Sequence, residues 1–433
     1  MRTDLKLLNR LSPQLIQHCD TEIPVQARLT FSAIDQSFST LRQFLESLHP
    51  KEMIGDFRLR LKEIHFTHPM WKEKIIPALA ELADQLKGMQ QVFTLLQKEL
   101  ELLKDTSIFS KIMNHLLEVQ TLEMRFNGAA QFLSQFITGG YDTTRVRWVE
   151  GYRGNLALME AALDVSVFCH EHLFTPLDSA VLCSATLSVA NEFTYAKERL
   201  GLKDEETSEH LYTSPFDYAT RSLFLVPTDL PFPHEPNYLA QQIFTMERAI
   251  EMSQGSAFIL FTSYDMLLNC YKALSSGALA QKYPLLKQGD LPRHLLLEEF
   301  KRRKGSVLFA TDSFWEGVDV PGEALRCVII SKLPFPVPSD PIYEAHAEAL
   351  TKEGKDPFFD YAIPQAVIKF KQGFGRLLRS KSDRGCILCL DPRIIKKNYG
   401  KFFIDSLPPS ATCFAPREKV LSAMSHFYAS TSV

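Results

Sequence analysis

Two arginines three residues apart, Arg376 and Arg379, close the run Gln372-Gly373-Phe374-Gly375-Arg376-Leu377-Leu378-Arg379. Residues three apart on a helix share a face, and two guanidiniums on one face suit bidentate contact with phosphate oxygens. Gly373 and Gly375 leave room beside them for a close backbone or ligand. A second run, Ala310-Thr311-Asp312-Ser313-Phe314-Trp315-Glu316-Gly317-Val318-Asp319, mixes hydroxyls and acids around a glycine. Ser184-Ala185-Thr186-Leu187 and Thr262-Ser263-Tyr264 add further hydroxyls, and Asp391-Pro392-Arg393 sets an acid beside a base.

These groups suit the far side of a phosphate site, because the side that grips the phosphates is missing from these residues. No G-x-x-x-x-G-K-[ST] loop occurs to cradle β and γ phosphates on backbone amides and a lysine. Gly354-Lys355 and Gly400-Lys401 are the only Gly-Lys pairs, and neither has the required earlier glycine or a following Ser or Thr. Asp204-Glu205-Glu206 lies in a polar stretch rather than at the end of an apolar strand, so it is no magnesium-holding acidic box.

The elements that position these groups alternate. From about His210 onward, short apolar runs at Ser222–Val226, Ala257–Phe261, Ser306–Ala310, Cys327–Ile330 and Cys386–Leu390 read as strands. Helical stretches at Asn237–Gln254 and Asp265–Leu274 separate some of them, which implies a parallel sheet with helices on both faces. Functional groups of such a sheet collect where strands end in loops, and four of the runs above do follow strand-like segments. Val146-Arg147-Trp148-Val149 reads as a strand and Leu156–Leu173 as a helix. Ser179–Ala185 reads as a strand buried on both faces.

Residues 1 to about 140 read as helical. From Ile75 the apolar positions Leu79, Leu82, Leu86, Met89, Phe93, Leu96, Leu100 and Leu103 keep an alternating four-and-three spacing. A second periodic stretch runs from Phe109 to Phe136 and ends at Gly139-Gly140. Lys104-Asp105-Thr106 is a short connection, so the two pair as an antiparallel hairpin. Periodicity alone does not separate an ordinary core from a self-associating coil.

A net charge of -3 gives no global nucleic-acid signature, so a basic footprint must be local. Between Gln365 and Lys401 ten Lys or Arg face only Asp383 and Asp391. The eight cysteines are scattered, several within strand-like runs, and read as small buried hydrophobes. Cys386-Ile387-Leu388-Cys389 has metal-ligand spacing, but both intervening residues are apolar and no second Cys or His pair follows, which favours a strand. No metal site is expected. Reduced thiols, no signal-peptide core and no run of membrane-spanning length point to a cytoplasmic protein without a membrane partner.

The motif runs resemble those of the DinG family, bacterial superfamily 2 helicases related to the eukaryotic XPD helicase. Ser184-Ala185-Thr186-Leu187 resembles helicase motif III, Phe258 to Tyr264 motif IV, Ser313 to Asp319 motif V and Gln372 to Arg379 motif VI. Lys332-Leu333-Pro334-Phe335-Pro336 and Asn398-Tyr399-Gly400-Lys401 are further family-like runs. The resemblance is strong over about residues 140 to 410. It is weaker over the N-terminal helices, although Arg2 to Leu11 resembles the stretch after the family's Asp-Glu-Ala-His box.

The resemblance implies an α/β architecture: a RecA-like second helicase lobe with a parallel sheet over 206–433, a helical arch-like domain over 1–145 and a remnant of the first lobe over 146–205. Arg376 and Arg379 would be arginine fingers for the γ-phosphate, with Gln372 helping to place them. Asp319, Glu316, Gly317 and Gly375 would lie on the nucleotide side, the two acids reporting nucleotide state. Ser184, Thr186, Thr262, Ser263 and Thr311 would touch nucleic acid or couple hydrolysis to lobe movement. Phe314 and Trp315 either stack a base or belong to the core. The family's Walker A loop, iron-sulphur cysteines and Asp-Glu-Ala-His box fall outside the matching stretch, so none of the cysteines is assigned to a cluster. ATP and Mg2+ would then bind only with a partner that supplies the missing lobe, an N-terminal helicase fragment. The implied ligand of the pair is single-stranded DNA, and the chain alone is expected to be ATPase-incompetent. The alternatives are a non-enzymatic DNA- or partner-binding module with a vestigial nucleotide site, and a helical scaffold. The local basic stretch disfavours the scaffold.

Overall fold

The computed structural model describes residues 13–104, 109–311, 314–315, 317, 320 and 322–430. Glu316 and Asp319 lie outside the described residues, as do Asp312, Ser313 and Val318 of the same run, the run from Arg2 to Leu11, and Asp105-Thr106 of the hairpin connection. The chain forms two compact units. One comprises residues 1–163 with 339–345, the other residues 164–338 with 346–433.

The first unit is built on three helices, α1 (Ile23–Leu48), α2 (Ile76–Glu101) and α3 (Phe109–Thr138). Proline in the first turn of α1 and of α2 suits positions whose N–H has no helical acceptor. The heptad seam of α2 is buried as its spacing requires: Leu79, Leu82, Leu86, Met89, Phe93, Leu96 and Leu100 all face the core. α2 and α3 pack as the expected pair, with the Phe93 and Phe126 rings stacked at 5.6 Å.

The expectation that residues 1 to about 140 are helical fails at Phe57–Arg60, whereas the strand expected at Val146–Val149 is present within Arg145–Tyr152. β1 (Phe57–Arg60), β2 (Arg145–Tyr152) and β3 (Asn155–Ala162) form an antiparallel sheet in the order β1-β2-β3. β2 and β3 close as a two-residue hairpin in which Arg153 and Gly154 both have positive φ, the conformation that matches strand twist. The helix read at Leu156–Leu173 is therefore a strand over its first half. Its Leu, Ala, Met and Glu are helix formers, and cross-strand pairing overrides that weak preference. Arg147 anchors the hairpin. It is 4% exposed, and its Nε donates to Glu160 Oε2 at 2.5 Å.

The second unit holds a seven-stranded parallel sheet in the order β10-β4-β9-β8-β5-β7-β6. Its strands are β4 (Ser222–Pro227), β5 (Ala257–Leu260), β6 (Leu285–Lys287), β7 (Val307–Ala310), β8 (Cys327–Ile330), β9 (Gly385–Cys389) and β10 (Ala411–Ala415). Five were legible as apolar runs; the three-residue β6 and the half-exposed β10 were not. Every residue of β4, β5, β7, β8 and β9 is buried, as helices on both faces demand. Successive side chains alternate between two cores. Phe224, Phe258 and Val328 point to one, Leu225, Ile259 and Ile329 to the other.

α4 (Tyr238–Met252), α5 (Tyr264–Ser275) and α8 (Arg417–Ala429) cover the second of these faces, and α6 (Arg293–Arg302) and α7 (Ile363–Phe374) the first. The expected α/β class with a RecA-like parallel sheet is what the chain forms. Cys386 and Cys389 are buried strand residues of β9, and burial pushes the Cys386 thiol up to about 12.

Ser179–Ala185 departs from expectation. It is not a strand buried on both faces: Val181 is 92% exposed and Leu182 is exposed as well. Among the described residues, its backbone groups pair with no other backbone group. The sequence holds the apolar run, but the sheet of the second unit has no place for it.

Candidate functional site

Phe314, Trp315, Gly373 and Arg376 meet on one face of the parallel sheet, between the residues that follow β7 and the end of α7. Trp315, fully buried, donates from Nε1 to the Phe261 carbonyl at 3.2 Å, which ties the loop after β7 to the end of β5. Phe314 is 1% exposed and packs edge-on to Phe258 at 6.3 Å. Both aromatics are therefore core, and the base-stacking alternative is set aside.

α7 stops at Phe374, so Arg376 and Arg379 lie in the turn beyond it and share no helical face. Their environments differ. Arg376 is 7% exposed, and its Nε donates to the Trp315 carbonyl at 2.8 Å; Nη2 reaches the same oxygen. Arg379 is exposed. Gln372 is half-buried, yet its Oε1 is buried and accepts no hydrogen bond. Gly373 is buried in contact with Trp315, while Gly375 closes the helix with ordinary negative φ and donates to the Lys371 carbonyl.

Asp383 organises this turn, a role that sequence reasoning missed. Its carboxylate accepts from the backbone N–H of Arg379 at 2.7 Å, of Ser380 at 2.8 Å and of Gly322 at 3.1 Å, and from the Ser380 hydroxyl. Burial alone would raise its pKa, but those donated bonds outweigh it and hold the carboxyl below its usual range. The polar run Ser380-Lys381-Ser382-Asp383, with an aspartate three residues after a serine, was the available signal.

Gly317 has φ of +61°, the left-handed region that favours glycine, and its carbonyl accepts from Arg293 Nη2 at 3.0 Å. The Arg293 guanidinium also stands over the Phe314 ring at 5.4 Å. Thr311 gives both its N–H and its hydroxyl to Gln288 Oε1, at 2.7 and 3.0 Å. Arg293 and Gln288 thus set the course of the loop after β7, and neither carried a motif to reveal it.

The hydroxyl runs fall at two places. Ser263 caps α5, accepting from the Met266 N–H at 3.3 Å, and Thr262 precedes it at the exit of β5. Beside them an open groove of about 540 Å³ is lined by Tyr238, Leu239, Ser263, Asp265 and Met266. Ser184 and Thr186 pair their hydroxyls at 3.0 Å in an exposed turn apart from these. Ser188, a few residues on, is buried and binds Lys371 of α7: Nζ donates to its carbonyl at 2.7 Å and to its hydroxyl at 3.3 Å. Burial lowers the Lys371 pKa from that of an ordinary lysine. This contact links the residue after the Ser184–Leu187 run to the residue before Gln372. Asp391 is fully buried at the end of β9. It accepts from the Leu333 N–H at 3.0 Å and from Arg393 Nη2 at 2.6 Å, joining the exits of β8 and β9.

Among the described residues, no group of three or more His, Cys, Asp or Glu is placed to hold a metal ion. No described helix is long and apolar enough to cross a membrane.

Residues 246–410 match the family described as the helicase C-terminal domain. Over 366 residues the chain is 34% identical to the ATP-dependent DNA helicase YoaA of Haemophilus influenzae, covering 83% of this chain and 54% of that protein. Over 390 residues it is 32% identical to the 3'-5' exonuclease DinG of Bacillus subtilis, covering 87% of this chain and 41% of that protein. A solved XPD helicase structure superposes with a TM-score of 0.49 at 15% identity, covering 86% of this chain and 66% of that chain. The chain spans about half the length of the curated relatives it matches.

Proposed function

The chain belongs to the DinG helicase family, and from that premise we propose that its parallel-sheet unit is the second motor lobe of an ATP-driven DNA helicase. The lobe supplies the arginine-bearing wall of the ATP site and part of a single-stranded DNA track. The observation that carries this reading is the joining of motif V to motif VI through Arg376 and the Trp315 carbonyl. That connection fixes the turn carrying the exposed Arg379 beside the buried, unpartnered Gln372 Oε1, a pairing of groups that suits a phosphate and that DNA binding alone does not require.

The residues fit ATP from one side only. Arg379 would place positive charge where charge develops on the γ-phosphate, and the buried Gln372 Oε1 has hydrogen-bonding capacity to spare for that side of the site. Arg376 holds Trp315, two residues before Gly317, and Glu316 and Asp319 would report nucleotide state. A P-loop and an acidic box, which hold Mg2+ and the β and γ phosphates, must come from residues outside this stretch. Hydrolysis of ATP there supplies the free energy for movement along DNA. Ser184 and Thr186 would couple hydrolysis to lobe movement, and Thr262, Ser263 and Thr311 would meet the strand. We assign residues 1–145 to an arch-like domain, 146–205 to the remainder of the first lobe and 206–433 to the second, in a cytoplasmic protein.

The exposed run Ser179–Ala185 has the composition of a central strand and pairs with no backbone group among the described residues. We place it in the sheet of the ATP-holding lobe, added as an extra strand. The test is DNA-stimulated ATP hydrolysis by the purified chain, alone and mixed with a polypeptide carrying the family's P-loop and Asp-Glu-Ala-His box. Turnover only in the mixture, lost in Arg379→Ala, supports the motor reading. Single-strand binding with no turnover in either sample would instead favour a non-enzymatic DNA-binding module.

A further inference from the structure

The motif residues at strand exits, Thr262 and Thr311, occupy the C-terminal edge of the parallel sheet. The opposite edge, where strands begin, has its own chemistry. Arg221 immediately precedes β4, Arg384 precedes β9 and Arg326 precedes β8, and these three strands are neighbours in the sheet. The register pairs Ser222 with Gly385, so Arg221 and Arg384 start at the same level, and Arg326 follows one strand further on. Two strands beyond, the run Lys301-Arg302-Arg303-Lys304 leads into β7, and Lys282 leads into β6. Adjacent strands lie about 4.8 Å apart, so the basic row extends over roughly 24 Å.

The opposing acids do not cancel this row. Glu299 is shared between Arg302 and Arg303, and Glu251 meets Lys282 at 3.3 Å. Asp383 is 5% exposed and its oxygens are taken by N–H and hydroxyl donors. Lys301 and Lys304 are exposed beyond these pairs.

We infer that this edge is a second nucleic-acid surface, one that takes the sugar-phosphate backbone of duplex DNA. A row of cations fixed to the ends of neighbouring strands holds its spacing and so matches a polyanion that is itself stiff over this length, as DNA duplexes are. A single strand is the poorer fit, because sequence-tolerant single-strand sites add aromatic faces on which bases stack. The rings at this edge are already used. Phe427 and Tyr428 pack on the core, and the guanidiniums of Arg384 and Arg326 lie over them at 3.9 and 4.7 Å. These rings fix the arginines in place and offer bases no platform. The surface lies across the sheet from the proposed single-strand track, so a fork could be held at both arms.

The experiment is fluorescence anisotropy of a labelled blunt 20-mer duplex against salt, with a labelled oligo-dT of equal length in parallel. The variant is Lys301→Gln with Lys304→Gln, two exposed side chains whose loss leaves the core untouched. Losing two phosphate contacts should reduce the slope of log K against log salt for the duplex by about 1.8 and weaken duplex binding on the order of tenfold at low salt. Binding of oligo-dT and the melting temperature should not change. No duplex binding by the wild-type chain overturns the proposal, and so does duplex binding insensitive to the variant. Equal losses for both oligonucleotides, or displacement of the duplex by polyglutamate of equal charge, would mark a general polyanion patch and also overturn it. Loss of the track reading would look different: oligo-dT binding would be absent while duplex binding remained.

Discussion

The indole of Trp315 lies against the backbone of Gly373, so that a Cβ on Gly373 would stand 2.9 Å from ring atoms Cε3 and Cζ3 and 3.0 Å from Leu260 Cδ1. No side chain fits there without movement. Because Trp315 is fully buried and tied to Phe261, the ring cannot yield cheaply, and α7 must lift instead. Gly373→Ala is expected to destabilise the parallel-sheet unit by about 1–3 kcal/mol, the usual cost of overpacking, despite the better helix propensity of alanine. Thermal unfolding of the purified chain measures it, and an unchanged or raised melting temperature would contradict the packing described.

Asp383 provides a second test, because its substitution removes an organiser of the turn while leaving both arginine side chains in the sequence. Asp383→Ala leaves the N–H groups of Arg379, Ser380 and Gly322 without their acceptor and should cost about 2–3 kcal/mol. The sign with pH is fixed by the direction of its shift. A carboxyl held below its ordinary value contributes stability that is present above that value and is lost as pH falls through the lower, folded-state value. The difference between wild type and Asp383→Ala in denaturant melts should therefore be largest near neutrality and shrink only at strongly acid pH.

His346 sets a different pH window. It is 6% exposed, its ring stacks on Tyr361 at 4.4 Å, and Arg199 Nη2 approaches its Nε2 at 3.4 Å. Burial first, and then the Arg199 charge, lower its pKa to about 4. The folded protein thus keeps the imidazole neutral while the unfolded chain protonates it at about 6.5. Between those values the unfolded state binds the extra proton, so stability falls as pH drops from about 6.5 to 4, by an amount on the order of 3 kcal/mol. His346→Phe, which keeps a stacked ring, should flatten this part of the stability profile. An unchanged acid slope would show that another group causes it.

The parts of this structure that the sequence disclosed were those in which one physical constraint dominates. Strands β4, β5, β7, β8 and β9 are buried on both faces and read as uninterrupted apolar runs, and the seam of α2 repeats because one face of the helix is buried along its whole length. β3 was hidden because its residues favour a helix and only pairing with β2 makes them a strand. Motif residues were visible by type and spacing, but not their states. Nothing in the spacing of Arg376 and Arg379 tells that one guanidinium is spent on the Trp315 carbonyl and the other is exposed, since that depends on where α7 stops and what lies beneath it. Arg293 and Gln288 act on Gly317 and Thr311 from more than twenty residues away, a relationship that leaves no local pattern.

The exposed apolar run Ser179–Ala185 yields the prediction that separates assembly from folding. Val181 is 92% exposed in this chain, so replacing it by lysine should alter the stability of the chain alone by no more than about 0.5 kcal/mol. If the run is a strand of the ATP-holding lobe, the same substitution buries a charge in a sheet core, which no partner there would satisfy. Val181→Lys is therefore expected to leave the melting temperature of the chain unchanged while abolishing co-elution with a P-loop-bearing polypeptide on size exclusion. It should also abolish the ATPase activity of the mixture. Arg379→Ala should do the reverse, keeping co-elution and lowering turnover by at least on the order of a thousandfold, the range for lost arginine fingers. Arg376→Ala is the less informative variant, because its buried guanidinium holds Trp315 and its loss should lower stability as well as turnover. The wild-type chain alone should exchange the amides of residues 180–185 rapidly, since no backbone acceptor protects them, and slowly once the partner is added. Slow exchange in the isolated chain, or co-elution that survives Val181→Lys, would place the run elsewhere and remove the strand-addition account.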